Sequence, residues 1–167
     1  VSDPTVTNCT FCRNSASNGG NGICNYIISS PVVSNCILWD GVNEILNYGD
    51  SAVTVEYSDV FGGFPGKGNI DVDPCFADPG CWIDTTDPNL VVGPTDPHAS
   101  WIDGDYHLKS QAGRWDPLSE TWVLDDVTSP CIDTGDPDSL IRDELAPNGG
   151  RINMGAYGGT KEASKSP

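Results

Sequence analysis

Aspartates crowd the second half of this chain. They fall as Asp71, Asp73 and Asp78, then Asp103 and Asp105, Asp125 and Asp126, and Asp133, Asp136 and Asp138. Carboxylates at this density are the donors that hard cations prefer, so Asp71, Asp73, Asp103 and Asp105 are the candidate calcium ligands. A plainer reading competes with this one. Many of these residues precede Pro or Gly, and an Asp side chain readily bonds the backbone of its own turn. No EF-hand loop is present, because Asp133–Asp138 lacks the spacing and the closing Glu. Calcium is the one cofactor the residues suggest.

Tryptophan is the second chemical signal. Trp82, Trp101, Trp115 and Trp122, four of the five, fall in two polar segments, Ala77–Ile102 and Gln111–Asp126. Indole faces on acidic loops make a platform for sugar rings, so these four are the candidate glycan contacts. The alternative is that they fold back and cover the side of the fold. Catalytic patterns are missing. His107 alternates with Tyr106 and Leu108 and reads as structural, and no Ser/His/Asp or Cys/His arrangement is found. A pair of carboxylates at the spacing of an inverting hydrolase carries no weight, because 24 acids would produce one by chance.

Seven cysteines are too many for a reduced chain without a metal motif, and Cys9-x-x-Cys12 stands alone. Disulfides in an oxidising compartment are therefore expected, with Cys12–Cys24 and Cys75–Cys81 as candidate pairs. The net charge is −16, from 24 acids and 8 bases. That excludes a nucleic-acid partner, whose phosphates need Lys and Arg, and no apolar run is long enough to insert into a membrane.

The elements that must carry these residues are set by a repeat. Ser2–Phe11 returns as Ser29–Leu38 and again, worn down, as Ser51–Val60, at offsets of 27 and 22 residues. A period in the twenties marks a solenoid. Three short strands joined by bends fit one turn, stacked in parallel on the next. Val6 and Cys9 should both face inward, yet they are three apart where strand faces alternate every two. Asn8 and Asn35 can break that parity by taking the left-handed conformation, so they are read as a stacked corner with Cys9 over Cys36. The expected fold class is all-β, a right-handed parallel β-helix with long loops in its C-terminal half. It forms one domain over 1–167: regular turns over 1–60, irregular turns with insertions over 61–160, and a tail over 161–167. Strand-like pieces in the second half are Ile70–Phe76, Asp105–Lys109, Ser129–Thr134 and Arg151–Tyr157. A weak helical pattern lies near Asp138–Leu145.

Pro4–Phe11 with Arg13–Ala16 resembles the repeats of bacterial right-handed parallel β-helix proteins, of the polymorphic outer-membrane protein type and of planctomycete-like surface proteins. Gly68–Pro74, Gly104–Leu108, Ser129–Pro137 and Asn153–Gly159 are similar to the close of such chains. The resemblance implies an exported protein, extracellular or on a bacterial cell surface. The expectation is a non-catalytic structural module serving as scaffold, adhesin or filament subunit. The alternative is the C-terminal part of a carbohydrate-active or glycan-binding β-helix. Since Ser2 already begins a repeat, an open edge is expected there, which would allow head-to-tail self-association.

Overall fold

The computed structural model describes residues 3–167, so the start of the repeat at Ser2 lies outside the described residues. Fifteen short strands and no helix make up the fold among those residues. In the first third, β1 (Thr5–Thr7), β2 (Thr10–Cys12) and β3 (Ile23–Asn25) are followed by β4 (Val32–Ser34), β5 (Ile37–Trp39) and β6 (Ile45–Asn47). Then come β7 (Thr54–Glu56) and β8 (Asp59–Val60). They pair in parallel as β1-β4-β7, β2-β5-β8 and β3-β6. The register puts Val6 beside Val33 and Val33 beside Val55, and Phe11 beside Leu38 and Leu38 beside Val60. The repeat offsets are therefore the pairing offsets.

Between the first and second ladders the chain turns a corner. Asn8, Asn35 and Tyr57 have φ of 50°, 55° and 47°, the left-handed region that Asn tolerates best among non-glycine residues. The corner turns the next backbone N–H toward the interior, where no strand can accept it. A side chain one turn away does so instead. The Cys9 N–H donates to Cys36 Sγ at 3.5 Å, the Cys36 N–H to Ser58 Oγ at 3.1 Å, and the Ser58 N–H to Asn69 Oδ1 at 3.0 Å. The thiol and the hydroxyl in turn donate to the carbonyl two residues earlier, Cys36 to Ser34 and Ser58 to Glu56. Asn69 ends the relay because residues 61–72 fold across the last turn. There Tyr57 bonds the Lys67 carbonyl and Val60 the Ile70 carbonyl, which occupies the β7–β8 edge.

Two apolar clusters follow from this frame. Val33, Cys36, Leu38, Val55 and Val60 fill the inside of the stack. Ile37, on the opposite face of β5 from Leu38, packs with Tyr57, Phe76, Leu108, Cys131, Ile132 and Met154. Both Ile37 and Leu38 are 0% exposed, as expected of a parallel strand covered on both faces. The cover is the second half of the chain. Its corner contacts are specific: Asn35 Oδ1 accepts the Asp136 N–H at 2.6 Å, Asn35 Nδ2 donates to Ser139 Oγ, and Asn8 Nδ2 donates to the Asn153 carbonyl. Gly155 (φ 87°) crosses β5 so closely that a Cβ there would lie 2.8 Å from Ile37 Cδ1.

The second half departs from the expected layout. It is antiparallel, so the sheets of this molecule are small and mixed. β9 (Phe76–Asp78) pairs with β13 (Asp105–Leu108). The segment expected as a loop at Ala77–Ile102 holds β10 (Cys81–Asp84), β11 (Asp87–Val91) and β12 (Ala99–Ile102) as one three-stranded sheet. Its counterpart at Gln111–Asp126 holds a hairpin, β14 (Arg114–Asp116) with β15 (Thr121–Val123). Ser129–Thr134 and Arg151–Tyr157, expected as strands, are turns and irregular chain, and no helix forms near Asp138–Leu145. Residues 161–167 are not a loose tail. Ala163, Ser164 and Ser166 are buried, and Lys165 and Ser166 donate N–H bonds to the Gly113 and Pro147 carbonyls.

Ser58→Ala would strip the acceptor from a buried N–H, which costs about 1–3 kcal/mol. Ser58→Cys, which repeats the rung above it, should cost clearly less. Urea denaturation of the two variants checks this order.

Candidate functional site

A groove runs beside the exit of β2. One wall is the turn after that strand, Arg13, Asn14 and Ser15; the other is the β10–β12 sheet, with Trp82 and Trp101. It consists of two adjoining hollows of about 360 and 550 Å3 that share Arg13, Asn14, Ser15, Trp82 and Pro94. Trp82 and Trp101 are direct cross-strand partners, with ring centroids 5.3 Å apart. Gly80 (φ 68°) lets Trp101 settle there, since a Cβ at that position would fall 2.6 Å from the indole. Arg13 holds a left-handed φ of 61° and is exposed. Among the described residues it enters no ion pair, so its guanidinium donors face the groove unclaimed.

Asp40 forms the groove floor. Its Oδ1 accepts from the Asn14 backbone N–H at 2.6 Å and from Asn14 Nδ2 at 3.0 Å. Behind it, Glu44 is 3% exposed and its Oε1 accepts the N–H groups of Asp40 and Gly41, each at 2.8 Å. Neither acid was singled out by motif or spacing. The available signal was Asp40-Gly41-Val-Asn-Glu44, a turn that closes on its own acid.

The four tryptophans divide into two pairs. Trp115 and Trp122 face each other across the β14–β15 hairpin at 5.7 Å, and Lys165 Nζ sits 4.1 Å from the Trp122 ring. This pair closes its own hairpin and lies apart from the groove; cross-strand aromatic pairs of this kind hold strands in register.

The candidate calcium ligands are not gathered. Asp71 accepts the Gly62 N–H and Asp73 the Cys75 N–H. Asp103 accepts from Gly104 and from the Tyr106 hydroxyl. Asp105 pairs with His107 Nδ1 at 2.5 Å and with Arg114 at 3.1 Å. Among the described residues no group of three or more His, Cys, Asp or Glu side chains is placed to hold a metal. These carboxylates bond turn backbones and one network around Arg114 and His107.

That network fastens the second half. Arg114 bridges Asp105 and Asp125, the latter at 3.2 Å. His107 is 1% exposed, stacks on Tyr157 at 3.5 Å and turns Nε2 toward Glu162 at 3.4 Å. Burial alone would raise the Asp105 carboxyl; the bonds from His107 and the Arg114 charge outweigh it and hold the group below its ordinary value.

The expected bridges Cys12–Cys24 and Cys75–Cys81 are not formed, and all seven cysteines are free. Cys12 donates to the Pro79 carbonyl and Cys75 to the Asp73 carbonyl, while Cys24 is exposed on β3. Burial pushes Cys12 up to about 11 and Cys36 to about 12, so both stay protonated. Cys131 donates to the buried Asp59, whose carboxyl is itself pushed up to about 6 by burial.

Residues 84–135 match a protein family described as disaggregatase related. The match runs from the end of β10 to Gly135 and contains Trp101, Trp115 and Trp122. No curated protein and no solved structure matches the chain, and none of these findings supports the likeness to polymorphic outer-membrane proteins.

Arg114→Met should destabilise the protein by about 3 kcal/mol at neutral pH, because it leaves two part-buried carboxylates without their cation. The loss should shrink in acid, because the Asp105 carboxyl, which Arg114 helps to hold below its ordinary value, is then protonated in the folded and the unfolded chain alike. Thermal melts of the variant at both pH values measure it.

Proposed function

We propose that this chain is an exported, non-catalytic surface module: a right-handed parallel β-helix whose tryptophan-walled groove grips a polysaccharide. One observation carries the reading. Trp82 and Trp101, brought together from separate strands, share a groove with the unpaired guanidinium of Arg13 and the amide of Asn14. Indole faces cover the apolar face of a sugar ring, and charged or amide donors bond its hydroxyls. A concave, largely apolar site with a few converging polar groups is what a carbohydrate needs.

The β-helical reading is supported by the three parallel ladders and by a chain that visits them in the same order each turn. Export is supported by the resemblance of the repeat and closing motifs to bacterial surface proteins. The family matched over residues 84–135 is described as disaggregatase related; contact with an aggregate fits that description, and the non-catalytic part of the reading does not draw on it. The carboxyl groups beside the groove, Asp40 and Glu44, have their oxygens buried or bonded to backbone, so they support its shape instead of acting on a ligand. Growth into filaments is the weaker structural role, because residues 61–72 already occupy the β7–β8 edge.

Retention on an array of immobilised polysaccharides tests the proposal. Trp101→Ala and Arg13→Ala should each weaken binding at least tenfold, about 1.4 kcal/mol, while Trp115→Ala should leave it unchanged. No retention by the unaltered protein, or turnover of any glycan on the array, would sink the reading.

A further inference from the structure

Asp40 and Glu44 leave an account unsettled. Three of their four partner contacts are backbone N–H groups, and those satisfy one oxygen on each carboxyl. The other two oxygens, Asp40 Oδ2 and Glu44 Oε2, are buried and have no hydrogen-bond donor. An unpaired buried carboxylate oxygen is expensive, and two on side chains of one turn, close enough to bond each other, repel as well.

We propose that Asp40 and Glu44 share one proton, and that this proton holds the floor of the Trp82 groove in shape. A hydrogen on one of the two free oxygens gives both a partner and removes one of two like charges. Carboxyl pairs at close quarters behave this way because they cannot both ionise. A bound cation fits less well. Calcium asks for six to eight oxygens, and only these two are unclaimed here. Gly22 also closes over the site, since a Cβ on it would lie 3.1 Å from Asp40 Oδ2.

Among the described residues the surroundings offer one other partner, the Arg13 guanidinium, and it makes no ion pair with either acid. The end of β2 presents Cys12 and Arg13, and the sheet across the groove presents Cys81 beside the non-titrating Trp82, Val91 and Val92. On the far side of Glu44 lie Phe61, Gly62, Gly63 and Phe64, with Asp71 committed to the Gly62 N–H. Burial first, and then the Asp40 charge, push the Glu44 carboxyl up to about 7.

The proton has a mechanical consequence. Asp40 Oδ1 holds Asn14, and Asn14 continues the wall that carries Arg13. Glu44 Oε1 holds the turn on which Asp40 sits. When both groups ionise, their repulsion loads this turn, and the groove wall loses its anchor. The folded protein binds the extra proton between the ordinary Glu value and about 7, so stability is greatest at low pH in this window and is lost as pH rises through the upper limit. Groove geometry and stability therefore share one titration.

Glu44→Gln is the discriminating variant. Its amide oxygen keeps both N–H bonds, and its NH2 group donates permanently to Asp40 Oδ2. Between pH 5.5 and pH 8 the Tm of the unaltered protein should fall by roughly 5 °C more than that of Glu44→Gln. The subtraction removes the separate contributions of Asp59 and Glu144, both raised by burial. Parallel curves would overturn the proposal. So would a calcium-induced rise in Tm at pH 8 that Glu44→Gln abolishes, since a cation would then hold the pair. Carboxyl 13C NMR of the unaltered protein gives a direct reading even if the variant fails to fold. A Glu44 step near pH 7 supports the proton, and a Glu44 step at the ordinary Glu value refutes it. None of these measurements contains a glycan, so their failure is distinct from failure of the binding proposal.

Discussion

The left-handed corner at Asn8, Asn35 and Tyr57 is the constraint on which the rest of the molecule rests. It lets Val6 and Cys9, and their counterparts below, point the same way despite odd spacing. It also points one backbone N–H per turn into an apolar interior. A buried N–H without an acceptor costs as much as a lost hydrogen bond or more. The side chain that follows each corner must therefore be small, buried and able to accept. Cys36, Ser58 and finally Asn69 meet that demand for the turn before them. The relay explains why a thiol and a hydroxyl can replace each other at this position, and why it stops where an amide from a folded-over loop takes its place.

The outer side of the same corner attaches the second half. Asn35 is 1% exposed although it lies at a bend, because its amide is bonded on both sides by Asp136 and Ser139. Conformation and contact thus act through one residue. From this seam Ile132 and Met154 reach the outer face of β5, and the Arg114 and His107 network ties β13 to the hairpin and to the closing strap. The groove exists because this second layer stands beside the stack: one wall belongs to each.

Much of this organisation is legible in the order of residues. The repeat offsets are covalent facts, and the odd spacing of Val6 and Cys9 requires a bend wherever the flanking chain is extended. The all-β class follows from short apolar runs between Gly and Pro. The aspartates are ambiguous in the sequence because one composition serves two ends. Asp-Pro and Asp-Gly are turn chemistry, and density alone cannot tell a turn from a ligand. The cysteines are ambiguous for a related reason: in the stack a thiol is a small acceptor that fills space, which no count of cysteines can reveal.

By itself the sequence determined the parallel stack, its period and its corner, because those follow from interactions repeated at constant offset along the chain. Only the tertiary structure decided which tryptophans meet. Trp82 finds Trp101 and Trp115 finds Trp122 through antiparallel registers set by turn geometry, and nothing local encodes that division. It likewise decided that Glu44 and the Oδ2 of Asp40 are buried, with one free oxygen on each carboxyl, and that residues 161–167 are an integral strap. Burial is a property of what covers a group, and here the cover comes from segments far along the chain.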